Sequence, residues 1–122
     1  MVDWQKIDVV LLDMDGTLLD LHYDNYFWLQ HLPMRYAQIF DQPEQEVRER
    51  LYAMMVAKRG SLEWYCTDHW SQTLEVNIPE LKAEITHKIG WRPGALAFLD
   101  WLKVNQKTHL LATNAHRDVV DL

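Results

Sequence analysis

Two carboxylates separated by one residue stand at the end of the first apolar run of the sequence. Asp13 and Asp15 follow residues 7–12, and Gly16 comes directly after them. An aspartate at a strand end can act as a nucleophile and as an oxygen ligand for Mg²⁺, and a second can act as acid and base. Hydrolysis of a phosphate ester needs both roles, so the pair suits that reaction. The same residues are also typical of an Asp-rich turn that follows a strand.

A second apolar run ends in small polar residues far along the chain. Residues 108–112 lead into Thr113 and Asn114. Thr113 offers a hydroxyl group, and the residues that open the next helix offer backbone N–H groups, which together suit a bound phosphate. An ordinary helix cap at Thr113 or Asn114 is the alternative interpretation.

Both runs have the composition of strands in a parallel sheet. Residues 7–12 are apolar almost without alternation and include β-branched side chains, which predicts cover on both faces of the sheet. In α/β sheets of this kind the functional groups lie at the carboxyl ends of the strands. Residues 94–106 predict a helix that feeds the second strand, with Leu96, Leu99 and Leu102 toward the sheet.

The sequence between the two strands predicts helices and no convincing strand. Residues 24–40 form the first predicted helix, and Pro33 implies a kink or break near Leu32. The later helices have candidate start signals, namely a capping box of Asp41 and Glu44 with Pro43 in the first turn, a Ser61 cap, and Asn77 with Pro79. Trp28, Trp64 and Trp70 lie on these helices, where aromatic residues either form the core or stack on a nucleobase.

Composition and charge argue against several classes of protein. A net charge of −6 argues against nonspecific nucleic-acid binding, which needs a basic face. No stretch is long and apolar enough to span a membrane. The single Cys66 excludes an internal disulfide and fits a reducing, cytoplasmic compartment, with Cys66 itself as a small buried residue. The histidines show no zinc-site spacing, and solvated or capping roles are expected for His22 and His116.

The two motifs together resemble those of the haloacid dehalogenase (HAD) superfamily. Its first motif is a hydrophobic strand followed by Asp-x-Asp-Gly-Thr, here residues 13–17, and its second is a strand followed by Thr-Asn, here Thr113 and Asn114. The Pro-Gly turn at residues 93–94 also looks like the turn that these proteins place before the second strand. The resemblance implies an α/β fold, a Rossmannoid parallel sheet with a helical cap inserted after the first strand.

The resemblance also implies a domain organisation. Residues 1–20 and 91–122 would belong to the core, and residues 21–90 would form the helical cap. Family members continue to a lysine and an acidic pair. No lysine follows Asn114 in this sequence, and the later acids Asp118 and Asp121 come too soon and on a predicted helix. We therefore expect the rest of the core to be absent, and residues 1–122 alone to be poorly active and marginally folded.

By the same resemblance, each candidate residue receives a role. Asp13 would be the nucleophile and a Mg²⁺ ligand, Asp15 the general acid and base and a ligand through its backbone carbonyl, and Thr113 and Asn114 the phosphate binders. The implied activity is Mg²⁺-dependent phosphomonoester hydrolysis through an aspartyl-phosphate. Residues 18–25 look like the purine 5′-nucleotidase branch, which implies GMP and IMP as substrates. The alternatives are a non-catalytic module that binds a phosphorylated ligand or partner, and an inactive fragment of the enzyme.

Overall fold

A pair of parallel strands carries the two motifs in the structure, a computed structural model that describes residues Met1–Leu122. β1 (Val9–Leu12) pairs with β2 (Thr108–Leu111), and the register joins Val9 to Thr108 and Leu12 to Leu111. This parallel pairing, with helices in the connection, confirms the predicted α/β class. Each strand is shorter than predicted, since residues 7–8 and 112 lie outside the regular ladder.

The remaining elements are helical. The α-helices are α1 (His22–Tyr26), α2 (Leu32–Phe40), α3 (Glu44–Lys58), α4 (Thr67–Leu74), α5 (Ile78–Ala83), α6 (Ala95–Val104) and α7 (Arg117–Val120). Short 3₁₀ turns occupy Trp4–Lys6, Leu62–Tyr65 and Thr86–Lys88. None of the helices combines the length and the apolar character that crossing a membrane requires.

Contacts divide the chain into two units. The sheet unit comprises Met1–Leu21 and Ile89–Thr113, and the helical unit comprises His22–Lys88 and Asn114–Leu122. The last segment belongs to the helical unit because α7 packs against α5. The assignment of residues 1–20 and 91–122 to a catalytic core and of residues 21–90 to a cap stays a prediction.

One face of the sheet is covered by α6. The inward side of this helix passes through Ala95, Phe98, Leu99 and Leu102, with the spacing i, i+3, i+4 and i+7 of an amphipathic helix. The prediction that Leu96 faces the sheet is wrong, because the helix starts at Ala95 and this spacing leaves Leu96 exposed.

The second face of the sheet has no covering layer in this chain. Four apolar strand side chains are exposed there or at the strand edges, namely Val9, Leu11, Leu110 and Leu111. Among residues 1–122 the predicted cover is therefore present on one face of the sheet, as expected for an incomplete core. The physical reason is that the sheet unit supplies a single helix to pack on the strands.

Proline interrupts the first long helix of the helical unit. Between α1 and α2 the residues Phe27–His31 form a π-helical turn, and the Leu32 N–H donates to the Phe27 carbonyl five residues earlier. Pro33 has no N–H for the Leu29 carbonyl, and Arg48 Nη1 donates to that carbonyl instead. The predicted interruption at Leu32 is confirmed, as a π-turn within a continuous helical path.

Two of the predicted helix starts are wrong. Asp41 ends α2 in the left-handed conformation, with φ of 50°, so it does not form a capping box with Glu44. Ser61 makes no cap bond, because its hydroxyl donates back to the Lys58 carbonyl at 2.7 Å.

Two other side chains do cap helices. The Cys66 sulfur accepts the His69 N–H at 3.4 Å and begins α4, so the expectation of a merely buried Cys66 is wrong. Asn77 Oδ1 accepts the Glu80 N–H at 3.1 Å, which confirms the predicted start of α5. The helical unit buries its apolar side chains around these elements, including Phe27, Leu32, Val47, Leu51, Trp70 and Ile78.

Candidate active site

The two predicted motifs follow neighbouring strand ends in the sheet unit. β1 ends at Leu12 and β2 ends at Leu111, which are partners in the parallel register. The pairing continues for one further bond, from the Ala112 N–H to the Leu12 carbonyl at 2.7 Å. Asp13 and Thr113 therefore leave the same carboxyl edge of the sheet, where α/β proteins bind their ligands.

The Asp13 carboxylate is exposed and is oriented by two donors from its own loop. The Met14 N–H donates to Oδ1 at 2.9 Å, and the Thr17 hydroxyl makes a long contact of 3.5 Å with Oδ2. These contacts direct the carboxylate while leaving it accessible, as a nucleophile requires. The sequence pattern assigned no role to Thr17, and its place in the motif four residues after Asp13 was the only signal for one.

A tight loop turns the chain after β1. The Met14 carbonyl accepts the N–H groups of Leu18 and Leu19 at 3.0 and 2.9 Å. Gly16 has a φ of 78°, and a Cβ atom there would lie 3.4 Å from the Leu21 side chain. Glycine is favoured at this position because other residues rarely adopt the left-handed conformation.

Asp15 lies within this loop. Its side chain is half-buried, whereas the preceding Met14 is buried, and its backbone forms an isolated bridge with Leu19. The backbone of Asp15 is thus held in place two residues from Asp13. This position suits both predicted uses, since the carboxyl group can transfer a proton and the carbonyl oxygen can bind a cation.

Backbone hydrogen bonds tie the loop to the residues that precede α6. The Asp20 N–H donates to the Gly90 carbonyl at 2.8 Å, and the Arg92 N–H donates to the Leu18 carbonyl at 2.9 Å. Gly94 then begins α6 with φ of 84°. The Pro-Gly turn that the sequence singled out thus follows directly on the segment that supports the first motif.

The residues of the second motif divide between the two units. Thr113 is half-buried and ends the sheet unit, and Asn114 is exposed and begins the last segment of the helical unit. The alternative of a helix cap at Thr113 or Asn114 is wrong, because α7 begins at Arg117. His116 is the cap instead, with Nδ1 accepting the Asp118 N–H at 3.3 Å, which confirms a capping role for this histidine.

The helical unit contains a buried lysine within an aromatic cage. Lys82 Nζ lies 2.9 Å from Asp24 Oδ1, and it lies 5.5, 4.9 and 5.3 Å from the ring centroids of Tyr23, Phe27 and Trp28. The Tyr23 hydroxyl donates to the Lys82 carbonyl at 3.0 Å. Burial, and secondarily the Asp24 carboxylate, raises the pKa of Tyr23 to about 12. The sequence analysis assigned no role to Lys82.

The tryptophans of the helical unit differ in their surroundings. Trp70 is buried, and its Nε1 donates to the Trp64 carbonyl at 3.1 Å, so the core interpretation is confirmed for Trp70. Trp28 Nε1 donates to Asp24 Oδ1 at 3.2 Å, and its ring lies 5.8 Å from that of Trp70. Trp28 and Trp64 are both partly accessible.

Comparisons with known proteins match the chain over most of its length. A family profile described as haloacid dehalogenase-like hydrolase matches residues 10–122. The GMP/IMP nucleotidases YrfG of Escherichia coli (strain K12) and of Shigella flexneri are each 39% identical to this chain over 115 residues. That alignment covers 94% of this chain and 52% of either relative, so the chain spans about half the length of the curated relatives it matches.

Two solved structures share the fold at low sequence identity. A HAD phosphatase from Thermococcus onnurineus matches 91% of this chain and 53% of its own, with a TM-score of 0.75 and 22% identity. A hydrolase from Pseudomonas syringae matches 95% of this chain and 52% of its own, with a TM-score of 0.53 and 20% identity. At such identities the likeness concerns the fold alone.

Proposed function

Because the chain belongs to the haloacid dehalogenase-like hydrolase family, we propose that it carries the nucleophile of a cytoplasmic phosphomonoester hydrolase. The observation that most supports this proposal is the exposed Asp13 carboxylate at the end of β1, contacted by Met14 and Thr17. Asp15 follows within the same loop, and Thr113 leaves the neighbouring strand at the same edge. These groups supply the nucleophile, the acid and the hydroxyl donor that phosphate transfer requires.

In the proposed reaction an oxygen of Asp13 attacks the phosphorus atom, and the bond to the leaving alkoxide breaks. Asp15, in its protonated form, gives a proton to that alkoxide. Water then attacks the phosphorus of the aspartyl-phosphate, the bond between phosphorus and the Asp13 oxygen breaks, and the Asp15 carboxylate takes a proton from the water. Inorganic phosphate leaves, and both side chains return to their starting states.

Hard oxygen donors at this edge fit Mg²⁺, which prefers carboxylates and phosphate oxygens. We propose that the Asp13 carboxylate and the Asp15 backbone carbonyl hold the ion. Bound there, it would neutralise charge on the phosphate group. We assign Thr113 and Asn114 to the phosphate oxygens, with the Thr113 hydroxyl and the Asn114 amide as donors.

The proposed substrates are purine nucleoside 5′-monophosphates, GMP and IMP. The support is the 39% identity to two GMP/IMP nucleotidases, together with the resemblance of residues 18–25 to that branch. We further propose that the helical insertion selects the substrate, since its partly accessible Trp28 and Trp64 offer ring surface to a base.

A second candidate function is a non-catalytic module that binds a phosphorylated ligand or a protein partner. It requires the phosphate-binding groups assigned to Thr113 and Asn114 and no turnover at Asp13. Binding of GMP without any release of phosphate would support this function.

Replacement of Asp13 tests the proposed nucleophile. Asp13→Asn keeps the side-chain volume and removes the anionic nucleophile, so turnover of GMP by the full-length protein should fall by about 10³-fold or more. The matched control is Asp8→Asn, which alters an exposed aspartate just before β1 and should leave turnover unchanged. Circular dichroism checks that both variants fold. Turnover retained by Asp13→Asn would contradict the assignment.

Replacement of Asp15 tests the proposed proton donor. Asp15→Asn should reduce hydrolysis of GMP by roughly 10²- to 10⁴-fold, because its alkoxide needs a proton. The aryl oxide of an activated aryl phosphate leaves with little need for a proton, so the rate of the burst that reports the first step should fall much less. Equal losses of the two first steps would remove Asp15 from the acid role.

A substrate screen tests the proposed specificity. Phosphate release by the full-length protein should have a higher kcat/KM for GMP and IMP than for pyrimidine nucleotides or sugar phosphates. Sugar phosphates that react faster than GMP would overturn the purine assignment while leaving the phosphatase proposal intact.

A further inference from the structure

Three side chains with different ligand chemistries converge in the helical unit. Cys66 and Asp68 lie at the start of α4, and His116 precedes α7. The sulfur, a carboxylate oxygen and an imidazole nitrogen of these residues all lie within 4.8 Å of one another. We propose that Cys66, Asp68 and His116 bind a zinc ion, at a site separate from the Asp13 carboxylate in the sheet unit.

The ligand types favour zinc over the hard cation proposed for Asp13. Zinc binds thiolate, imidazole and carboxylate groups together, whereas Mg²⁺ takes oxygen ligands and does not favour sulfur. Bond lengths of about 2.0–2.3 Å place tetrahedral ligand atoms about 3.3–3.8 Å apart. His116 Nε2 and Asp68 Oδ2 are already 3.2 Å apart, so the ligands need a rearrangement of about 1 Å at most.

Neighbouring groups are placed to orient the ligands. The His69 N–H points at the Cys66 sulfur at 3.4 Å. Asp118 Oδ2 lies 3.4 Å from His116 Nδ1, on the far side of the ring from Asp68. A carboxylate that receives the second N–H of a metal-binding histidine is a common feature of zinc sites.

Binding has a defined proton balance. Cys66 loses its thiol proton to solvent, and the neutral His116 ring carries its proton on Nδ1, where Asp118 Oδ2 accepts it. In the structure Nδ1 accepts the Asp118 N–H, which places the ring proton on Nε2 facing Asp68. Zinc binding at Nε2 would move that proton to Nδ1.

The surroundings favour a cation and connect the site to the second motif. Asp68, Glu75 and Asp118 line one open groove, so the local charge is negative. The metal would join the start of α4 to His116, which lies two residues after Asn114.

Cobalt(II) is the probe for this site, because cobalt–thiolate bonds absorb in the near ultraviolet whereas cobalt bound by oxygen alone does not. The full chain, stripped with EDTA, should develop this absorption with one equivalent of Co²⁺ and lose it when Zn²⁺ is added. Cys66 is the single cysteine of the sequence, so the signal reports its sulfur. Cys66→Ser and His116→Asn should each abolish the one-equivalent absorption.

Two controls make the outcome decisive. His87→Asn changes an exposed histidine elsewhere in the helical unit, and Asp13→Asn changes the proposed Mg²⁺ site, and both should keep the absorption. Circular dichroism checks the fold of each variant, and serine at position 66 keeps an oxygen to cap α4. No thiolate absorption in the parent chain, or absorption that survives in His116→Asn, would overturn the proposal.

Discussion

The ion pair between Lys82 and Asp24 should respond unequally to the loss of its two members. Asp24→Asn leaves the Lys82 ammonium group buried with no carboxylate, since the lysine side chain is 2% exposed. Lys82→Met leaves Asp24, which is 36% exposed and can be hydrated. We therefore expect the substitution at the more exposed residue to be the more destabilising one.

The magnitudes follow from burial. Removing one partner of a fully buried ion pair costs about 3–5 kcal/mol, and partial exposure of Asp24 reduces this to about 2–3 kcal/mol for Asp24→Asn. The rings of Tyr23, Phe27 and Trp28 retain part of the attraction for the ammonium group. Methionine fills a similar volume among these rings, so Lys82→Met should cost about 0.5–1.5 kcal/mol.

The assay is urea unfolding followed by circular dichroism and by tryptophan fluorescence, with both single variants and the double variant. The double variant should be about as stable as Lys82→Met, because once the Lys82 ammonium group is removed, Asp24→Asn no longer leaves a buried charge without a partner. Lys58→Met is the matched control. Lys58 lies 2.6 Å from Glu63 on the surface and lowers the pKa of that carboxyl through its hydrogen bond.

Loss of an exposed pair of this kind should have little effect on stability, because water hydrates both partners and screens their attraction. The reasoning would be refuted if Asp24→Asn were no more destabilising than Lys82→Met. It would also be refuted if Lys58→Met were as destabilising as Asp24→Asn, because burial would then not determine the energy of these pairs.

Three other predictions concern stability. Folding raises the pKa of Tyr23 from 10.0 to about 12, so this tyrosine ionises at lower pH in the unfolded chain than in the folded one. The free energy of unfolding should therefore fall as pH rises from about 10 to 12. Tyr23→Phe should remove this contribution to the pH dependence, as measured by urea unfolding at each pH. Leu12→Ala should lower the free energy of unfolding by about 2–5 kcal/mol, because Leu12 is buried. Leu11→Ala, at a mostly exposed position of the same strand, should lower it by less than about 1 kcal/mol. Equal losses would contradict the observed packing. Asn77→Ala should destabilise by about 1 kcal/mol through loss of the bond to the Glu80 N–H, and Asn77→Ser should restore most of it in thermal unfolding.

Local patterns in the sequence were enough to predict the strands, their parallel class and several helix boundaries. Alternation and composition depend on neighbouring residues alone, so residues 7–12 and 108–112 were recognisable as strands. The interruption before Pro33 and the cap at Asn77 are likewise consequences of backbone chemistry within a few residues. Asp13 and Thr113 were expected at strand ends for the same reason, and the parallel register gives them a common edge.

Tertiary structure decided which side chains are covered and which hydrogen bonds form. Lys82 is buried because Tyr23, Phe27 and Trp28, more than fifty positions earlier in the chain, surround it, and no local pattern encodes such a partner. Leu96 is exposed because α6 packs on the strands with the face that carries Ala95 and Leu102, and Leu96 lies outside that face. His116 contacts Asp68, which lies 48 positions earlier in the chain. The residues next to His116 or Asp68 in sequence do not determine this contact, because it depends on the path of the chain between them.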